Sequence, residues 1–444
     1  MRARALPPAL LAGIVMGLVG SVVFAASGLV DGLRGPRVYM IGWGAIFAEA
    51  ALTSAGLFEL SRRLTGAARR CAHAAGAIFA VLFVWRVCRD ALVVLDDQTR
   101  SELYRWSAVP HGLLVTAGTA LIATAVSGWT RAPAAAIVSI VAVLGQGWLP
   151  GLDDAMASFF HAHPTARALY WPVLDICGTL ALIWLYAVGV RGREDTIADP
   201  ALAARGARIA ATALWLRLVL ALVLGPFVVV LLRAPDLPRI LLDTAPLLGV
   251  VTAAVCAVGL LRLAGSRIEG LPAHRLAFGA ALVLWWGGVE LGRLVHTREL
   301  LQFSELSFGA EFLEAWSIVG PLVAALGLVL AGSSIAAWAE ARAAWRLHKS
   351  AVSRTIVFGI LSTFSVVPTG AGAASFGRIA LFGVLSIAGL IAMSGLWSRA
   401  AELLAEGPTL PTARVLSVPE RGAAGSEAGG AGSEADASIG EARE

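Results

Sequence analysis

Long apolar runs recur along almost the whole chain, and they constrain its fold more than any other feature. Each run has about 20 residues, the length that an α-helix needs to cross a hydrocarbon core about 30 Å thick. Hydrophobic residues make up 58% of the chain and charged residues only 15%, a balance outside the range of soluble globular proteins. The sequence therefore predicts an all-α integral membrane protein that crosses the bilayer many times.

Twelve such runs predict about twelve transmembrane helices. The predicted spans lie near residues 8–30, 38–60, 74–95, 111–129, 133–150, 168–190, 209–232, 241–263, 275–295, 316–338, 355–373 and 376–397. A cleaved signal peptide is the alternative for the first run, because Arg2 and Arg4 precede its apolar core. The other eleven spans keep their orientation under either interpretation.

Basic residues are divided unequally between the two sets of alternate loops. One set carries 17 of them and the other carries 9. Because arginine and lysine are enriched in cytoplasmic loops, this difference predicts that both termini lie in the cytoplasm. We expect a multi-pass protein of the cell's inner (plasma) membrane, with the lipid bilayer as its first partner. The net charge of +5 follows from this topology and indicates no nucleic-acid partner.

An internal repeat relates the two parts of the chain. RALYWPVLDICGTLALIWL at 167–185 matches RIALFGVLSIAGLIAMSGL at 378–396 in seven aligned positions without a gap. Gly56, Leu57 and Leu60 of the second predicted span match Gly259, Leu260 and Leu263 of the eighth, and Trp85 matches Trp286. A spacing of six spans predicts two six-helix halves that are parallel in the membrane.

The repeat divides the chain into four parts. They are a first six-helix half at 1–190, a cytoplasmic connector at 191–208, a second six-helix half at 209–398 and a disordered cytoplasmic tail at 399–444. Six helices on each side of the charged connector VRGREDTIADPALAARGAR resemble the layout of the major facilitator superfamily. The resemblance is one of architecture, because the loop LSRRLTGAARR at 60–70 has no acidic residue where that family's motif carries one.

Ionisable residues inside predicted spans are the candidate functional residues. A charge in the bilayer core is costly, and it usually faces a helix bundle interior or a water-filled cavity. Glu49 and Arg86 lie at nearly the same depth in consecutive spans, so we expect them to form an ion pair. Their repeat counterparts are Thr252 and Gly287, so both charges are absent together in the second half.

Six other charges complete the candidate set. Arg89 and Asp90 lie toward the outer end of the third span, where Glu290 and Arg293 occupy the corresponding end of the ninth. Each pair is either part of a cavity wall or a structural clamp. Asp175 lies about two turns into the sixth span, where a hydrated position would suit a proton carrier, and Arg217 lies about two turns into the seventh.

Cofactor and enzyme alternatives have weaker support in the sequence. A haem site between His111 and His296, or a metal site from HAH at 161–163 with Asp153 and Asp154, would use residues near the outer surface. We expect neither a metal nor a cofactor, because no confident set of ligands is apparent. The outward-facing pairs Asp96-Asp97 and Asp153-Asp154 would suit a lipid-linked glycosyltransferase, but the outer loops are short.

The function that these observations favour is secondary transport. We expect a permease that moves a small molecule or an ion through a central cavity between the two repeat halves. The alternative is a scaffold or anchor subunit of an envelope complex, in which the buried charges fix helix packing and transport nothing. An enzymatic activity is the less favoured interpretation of this sequence.

Overall fold

The computed structural model describes residues 7–29, 36–91, 198–231, 239–302, 308–364 and 376–405, with a few isolated positions between 114 and 162. Within these residues every regular element is an α-helix, and there are nine of them. The all-helical part of the prediction is confirmed. Most of residues 92–197 lies outside the described residues, so the twelve spans and the two six-helix halves stay predictions.

The nine helices follow the apolar runs of the sequence. They are α1 (Pro8–Leu29), α2 (Pro36–Ser61), α3 (Gly66–Ala91), α4 (Pro200–Leu231), α5 (Arg239–Ala264), α6 (Ala273–Gln302), α7 (Phe308–Ala341), α8 (Trp345–Phe364) and α9 (Phe376–Ala405). Four of them contain a stretch long and apolar enough to cross a membrane: Gly66–Trp85, Pro200–Val223, Gly320–Ala341 and Val384–Ala405. These stretches indicate that the protein associates with a membrane.

The last six helices form a closed ring. Each helix from α4 to α8 packs against the next one in the chain, and α9 packs back against α4. On the outside of the closing contact, the Trp215 indole N–H donates a hydrogen bond to the Ser398 hydroxyl over 3.1 Å. Helices α1 and α2 pack against each other and lie against the ring through α6. Helix α6 is therefore the element that joins the ring to the N-terminal helices.

Glycines bring the helices of the ring into backbone contact. At the α4–α5 crossing, a Cβ atom placed on Gly259 would lie only 2.6 Å from the Ala210 amide nitrogen and 2.7 Å from the Gly206 carbonyl oxygen. The α6–α7 crossing has the same character, because a Cβ on Gly279 would lie 2.6 Å from the Gly327 carbonyl oxygen. Small residues let membrane helices approach closely and gain van der Waals contact, so these glycines set the spacing of the ring.

Repeat-aligned residues occupy corresponding places in two helix pairs. Gly56 lies where α2 crosses α1, and a Cβ there would lie 2.6 Å from the Leu10 amide nitrogen. Its partner in the alignment, Gly259, has the same place where α5 crosses α4. The aligned leucines Leu57, Leu60, Leu260 and Leu263 are all buried. The α1–α2 and α4–α5 pairs therefore cross at matching glycines.

Helix α4 begins earlier than the sequence predicted. Asp199 caps its N-terminus by accepting a hydrogen bond from the Leu202 N–H over 2.8 Å, and Pro200 takes the first helical position, which suits proline. The Asp199 N–H donates to the Ser266 carbonyl over 2.9 Å, which ties this cap to the α5–α6 loop. Residues 200–208 of the predicted connector are thus helical, and hydropathy missed them because Arg205 and Arg208 interrupt the apolar pattern.

Two other helix boundaries differ from the predicted spans. Helix α8 runs from Trp345 to Phe364, about ten residues before the predicted eleventh span at 355–373. Its first turns are amphipathic, with Leu347 and Ala351 buried and Lys349 exposed, and a search for long apolar runs overlooks such turns. Helix α9 extends to Ala405, beyond the predicted boundary at 398. The remaining tail residues, 406–444, lie outside the described residues.

The glycine at the α4–α5 crossing gives the first testable prediction. We expect Gly259→Ala to lower the free energy of unfolding by about 1–3 kcal/mol, because the new methyl group would force two backbones apart. Gly389→Ala is the matched control, since its Cβ would meet Phe358 at an ordinary 3.4 Å. Thermal unfolding in detergent would measure both variants. Equal melting temperatures for them would contradict the role given to this crossing.

Candidate functional site

A cavity of about 90 Å³ lies inside the ring, and all six helices contribute to its wall. Most of the lining is alanine, leucine, valine and phenylalanine. The lining residues that carry polar groups are Arg217, Thr252, Cys256, Trp286, Ser362 and Ser386. Among all these lining residues only Arg217 carries a charge. Pro321, which interrupts the hydrogen-bond ladder of α7, also lines the cavity.

The register of α4 places Arg217 on the inside of the ring. Ala213, Leu214 and Leu218 are buried in the same helix, at the spacing of one helical face. The residues between them point outward, since Trp215 and Leu216 are 42% and 43% exposed. An arginine within the buried face of an apolar helix is costly, so its position needs a physical explanation.

The guanidinium of Arg217 lies over an aromatic ring and faces the cavity. Its Cζ atom is 4.6 Å from the centroid of the Trp286 ring, which is a cation–π contact. The residue is half-buried, so Arg217 keeps some accessible surface. Arg217 is also one of the residues that line the cavity.

Glu290 supplies an opposite charge near Arg217. It lies one helical turn beyond Trp286 on α6, is buried, and attracts the Arg217 guanidinium electrostatically. Within the described part of the chain, no residue accepts a hydrogen bond from Arg217 or forms a salt bridge with it. The attraction therefore acts across a gap, and the guanidinium N–H groups keep their hydrogen-bonding capacity for something in the cavity.

The pairing of Arg217 with Glu290 was not predicted, although both residues were candidates. The sequence placed Glu290 with Arg293 at the outer end of a span and Arg217 two turns from the inner end of another. In the structure Arg217 follows Pro200, the first residue of α4, by as many residues as Glu290 follows Ala273, the first residue of α6. The sequence analysis placed Arg217 at a different depth from Glu290 because it began α4 too late.

Glu49 is the candidate charge whose side chain is described in the N-terminal helices. It is half-buried on α2, and its carboxylate lies so close to α1 that a Cβ on Gly17 would come within 2.5 Å of Glu49 Oε1. In the ring, the Arg217 Nη1 atom lies beside Gly249, 3.9 Å from where a Cβ would be. Gly17 therefore makes room for the Glu49 carboxylate, whereas the distance between Gly249 and Arg217 is an ordinary van der Waals contact.

The side chains of the other candidate residues lie outside the described part of the structure. Arg86, Arg89 and Asp90 belong to the last turns of α3 and Arg293 belongs to α6, but their side chains lie outside the described part of the structure. Asp175 lies outside the described residues altogether. The Glu49–Arg86 ion pair and the proton-carrier role of Asp175 therefore stay predictions. Trp286, Thr252 and Cys256 belong to the site, and the sequence analysis gave none of them a role.

The contact between α2 and α6 is closely packed. The Trp285 indole N–H donates a hydrogen bond to the Ile41 carbonyl over 3.0 Å. A Cβ on Gly288 would lie 2.9 Å from the Gly44 Cα atom, and a Cβ on Gly44 would lie 2.5 Å from the Val289 side chain. We expected a cavity between the two halves, and at this contact the helices instead touch. Helices α1 and α3 also contact α6, and the other helices predicted for the first half lie outside the described ranges.

The described residues bring no metal-binding group together. Among them, no three His, Cys, Asp or Glu residues come close enough to hold a metal ion. The alternative metal ligands His161, His163, Asp153 and Asp154, and the alternative haem ligand His111, lie outside these residues. His296 belongs to α6, and its side chain is also outside them. The metal site and the haem site therefore rest on the sequence pattern alone.

Comparison of the chain with protein-family models, with curated proteins and with solved structures found no match in any of the three. The helices and the site are therefore the basis for assigning this protein to a class. It is a helical protein whose apolar helices indicate membrane association, with a buried arginine that faces a cavity in a six-helix ring.

The interaction of Arg217 with Glu290 is testable by a double-mutant cycle. We expect Arg217→Gln and Glu290→Gln to be coupled by about 1–2 kcal/mol in the free energy of unfolding, because two opposite charges attract strongly away from water. The exposed pair Arg399–Glu402, joined over 2.8 Å, is the control, and its coupling should stay below about 0.5 kcal/mol. Reversible unfolding in mixed detergent micelles would provide the measurement. A coupling no larger than that of the control would mean that the two charges do not interact.

Proposed function

We propose that the protein is a multi-pass transporter of the inner membrane that moves a small solute through the cavity inside its C-terminal six-helix ring. Its predicted twelve spans would form two parallel six-helix halves with both termini in the cytoplasm. The proposal differs from the sequence-based expectation in one respect. It assigns the solute to the interior of one ring, whereas we expected a cavity between the two halves.

The observation that carries the proposal is the orientation of Arg217 toward the cavity. An ionised side chain within a membrane helix is expensive, and such residues usually mark a solute or ion pathway. A guanidinium needed only for packing would be expected to form hydrogen bonds with neighbouring backbone or side-chain groups. Arg217 instead lies over Trp286 and is one of the residues that line the cavity. This arrangement suits a group that meets a solute.

The helices around the cavity also have features that suit movement. Pro321 lies within α7 at the cavity wall, and a proline in a helix removes one backbone hydrogen bond and favours bending there. The crossings at Gly259 and Gly279 bring backbone against backbone. Bending of α7 at its proline would open a path to the cavity.

The matching helix pairs support the proposed division into halves. The crossings at Gly56 and Gly259 repeat the same geometry in α1–α2 and α4–α5. If the first half also forms a ring, Glu49 would face its interior as Thr252, its counterpart in the alignment, faces the cavity of the second. Two related compartments with different charges would then lie side by side in the membrane.

A second candidate function is favoured by the packing between α2 and α6. The contacts of Gly44 and Gly288 and the hydrogen bond of Trp285 leave no room at that interface. A membrane scaffold or anchor subunit would have such a filled interface, and its buried charges would serve only to fix helix positions. In that case the cavity would never be reached from water.

Cys256 allows a direct test, because it is a native cysteine in the cavity wall. In a variant with Cys71, Cys88 and Cys177 replaced by alanine, we expect a small hydrophilic thiol reagent to modify Cys256 in intact membranes. A transporter opens its cavity to water in part of its cycle, and water access lets the thiol ionise and react. Mass spectrometry of the purified chain would give the rate of modification.

The matched control is Val258→Cys in the same background with Cys256 also replaced. Val258 lies two residues further along α5 and is 45% exposed on the outer surface of the ring, where lipid would keep a thiol unreactive. Faster modification of Cys256 than of this control would support transport. Equal protection of the two thiols would contradict the transporter proposal and favour the scaffold.

A further inference from the structure

The residues that line the cavity determine whether a cation or an anion can bind there. Among the lining residues that the structure describes, Arg217 is the one charged side chain and none carries a carboxylate. The Thr252 hydroxyl already donates to the Gly249 carbonyl over 2.9 Å, whereas the guanidinium has five N–H donors and no acceptor. A mostly apolar wall with one positive charge suits an anion better than a cation.

The size and polarity of the cavity limit the anion further. A volume of about 90 Å³ accommodates only a few heavy atoms beside the guanidinium. The rest of the wall is largely apolar and includes Val283, Leu328 and Leu390. An anion with a short hydrocarbon part would place its charge on Arg217 and its methyl or methylene groups against this wall. A sugar-sized anion would not fit, and a multiply charged one would meet a single positive charge.

Glu290 explains how such a site can exist without a permanently bound anion. Its negative charge attracts Arg217 from a distance and lowers the cost of keeping the guanidinium in the ring while the cavity is empty. Trp286 supports the guanidinium from one side and so holds it in place. An entering carboxylate would then make direct hydrogen bonds that Glu290 does not make with Arg217.

We propose that the cavity inside the ring binds a small monocarboxylate of about the size of acetate, with the guanidinium of Arg217 as the group that holds the carboxylate. The inference rests on the proposed transport function in one respect, because it names the class of solute that would be transported. Binding itself requires the cavity and the arginine alone. Because ligands of so few atoms reach modest affinity, we expect a dissociation constant near the millimolar range.

The test is calorimetric titration of the purified full-length protein in detergent with sodium acetate. Sodium gluconate at the same ionic strength is the control ligand, because its carboxylate has the same charge on a body too large for the cavity. We expect saturable binding of acetate and none of gluconate. Equal heats from the two salts would overturn the inference, since they would reflect ionic strength and not a site.

Two variants and one control show whether the binding site is the cavity. Arg217→Gln should weaken acetate binding by at least about tenfold, because a charge-assisted bidentate contact is lost. Ala325→Leu should also abolish binding by filling the cavity while Arg217 stays in place, so the test does not depend on the arginine variant alone.

Arg354→Gln should bind like the unchanged protein, because Arg354 packs beside Gly395 and does not line the cavity. Undiminished binding in the Ala325→Leu variant would place the anion elsewhere and refute the inference.

Uptake of labelled acetate into proteoliposomes separates this inference from the proposed function. Acetate binding that depends on Arg217 but is accompanied by no uptake would support the binding site and contradict transport of this solute. Uptake of a neutral solute with no acetate binding would support a transporter and refute the monocarboxylate site. The two proposals can thus fail independently.

Discussion

Backbone contact at glycine is the constraint on which the ring depends. Within a bilayer the hydrophobic effect does not drive helices together, so their association depends on close van der Waals packing. Gly206 and Gly259 supply that packing between α4 and α5, and Gly279 and Gly327 supply it between α6 and α7. With these crossings fixed, α9 can return to α4 and close the ring. The cavity lies inside this ring, and all six helices contribute residues to its wall.

The ring in turn makes a buried arginine tolerable. A single apolar helix with Arg217 at this depth would expose the guanidinium to lipid, at a cost that few membrane segments bear. Inside the ring the same side chain finds the Trp286 ring at 4.6 Å and the charge of Glu290 across a short gap. Neither contact uses up the hydrogen-bond donors of the guanidinium. The site therefore combines electrostatic support from the protein with unused capacity for a solute.

The sequence predicted most of the described helices and some of the residues of the candidate site. Apolar runs predicted helices because a chain in lipid must satisfy its backbone within helices, and the alignment of Gly56 with Gly259 identified two equivalent crossings. The starts of α4 and α8 were missed because their first turns are amphipathic and carry charges such as Arg205 and Lys349. That error separated Arg217 from Glu290 in depth. Cys256 carried no signal, since an isolated cysteine in an apolar helix has the same pattern whether it lines a cavity or fills a core.

Two adjacent tryptophans on α6 have different surroundings. Trp285 donates its indole N–H to the Ile41 carbonyl of α2, while Trp286 lies under the guanidinium of Arg217 and lines the cavity. Because neighbouring residues of a helix are held together by its backbone, a rotation of α6 that widened the cavity would also displace the indole that is bonded to α2. A solute that turned α6 on entering the ring would thereby act on the N-terminal helices as well.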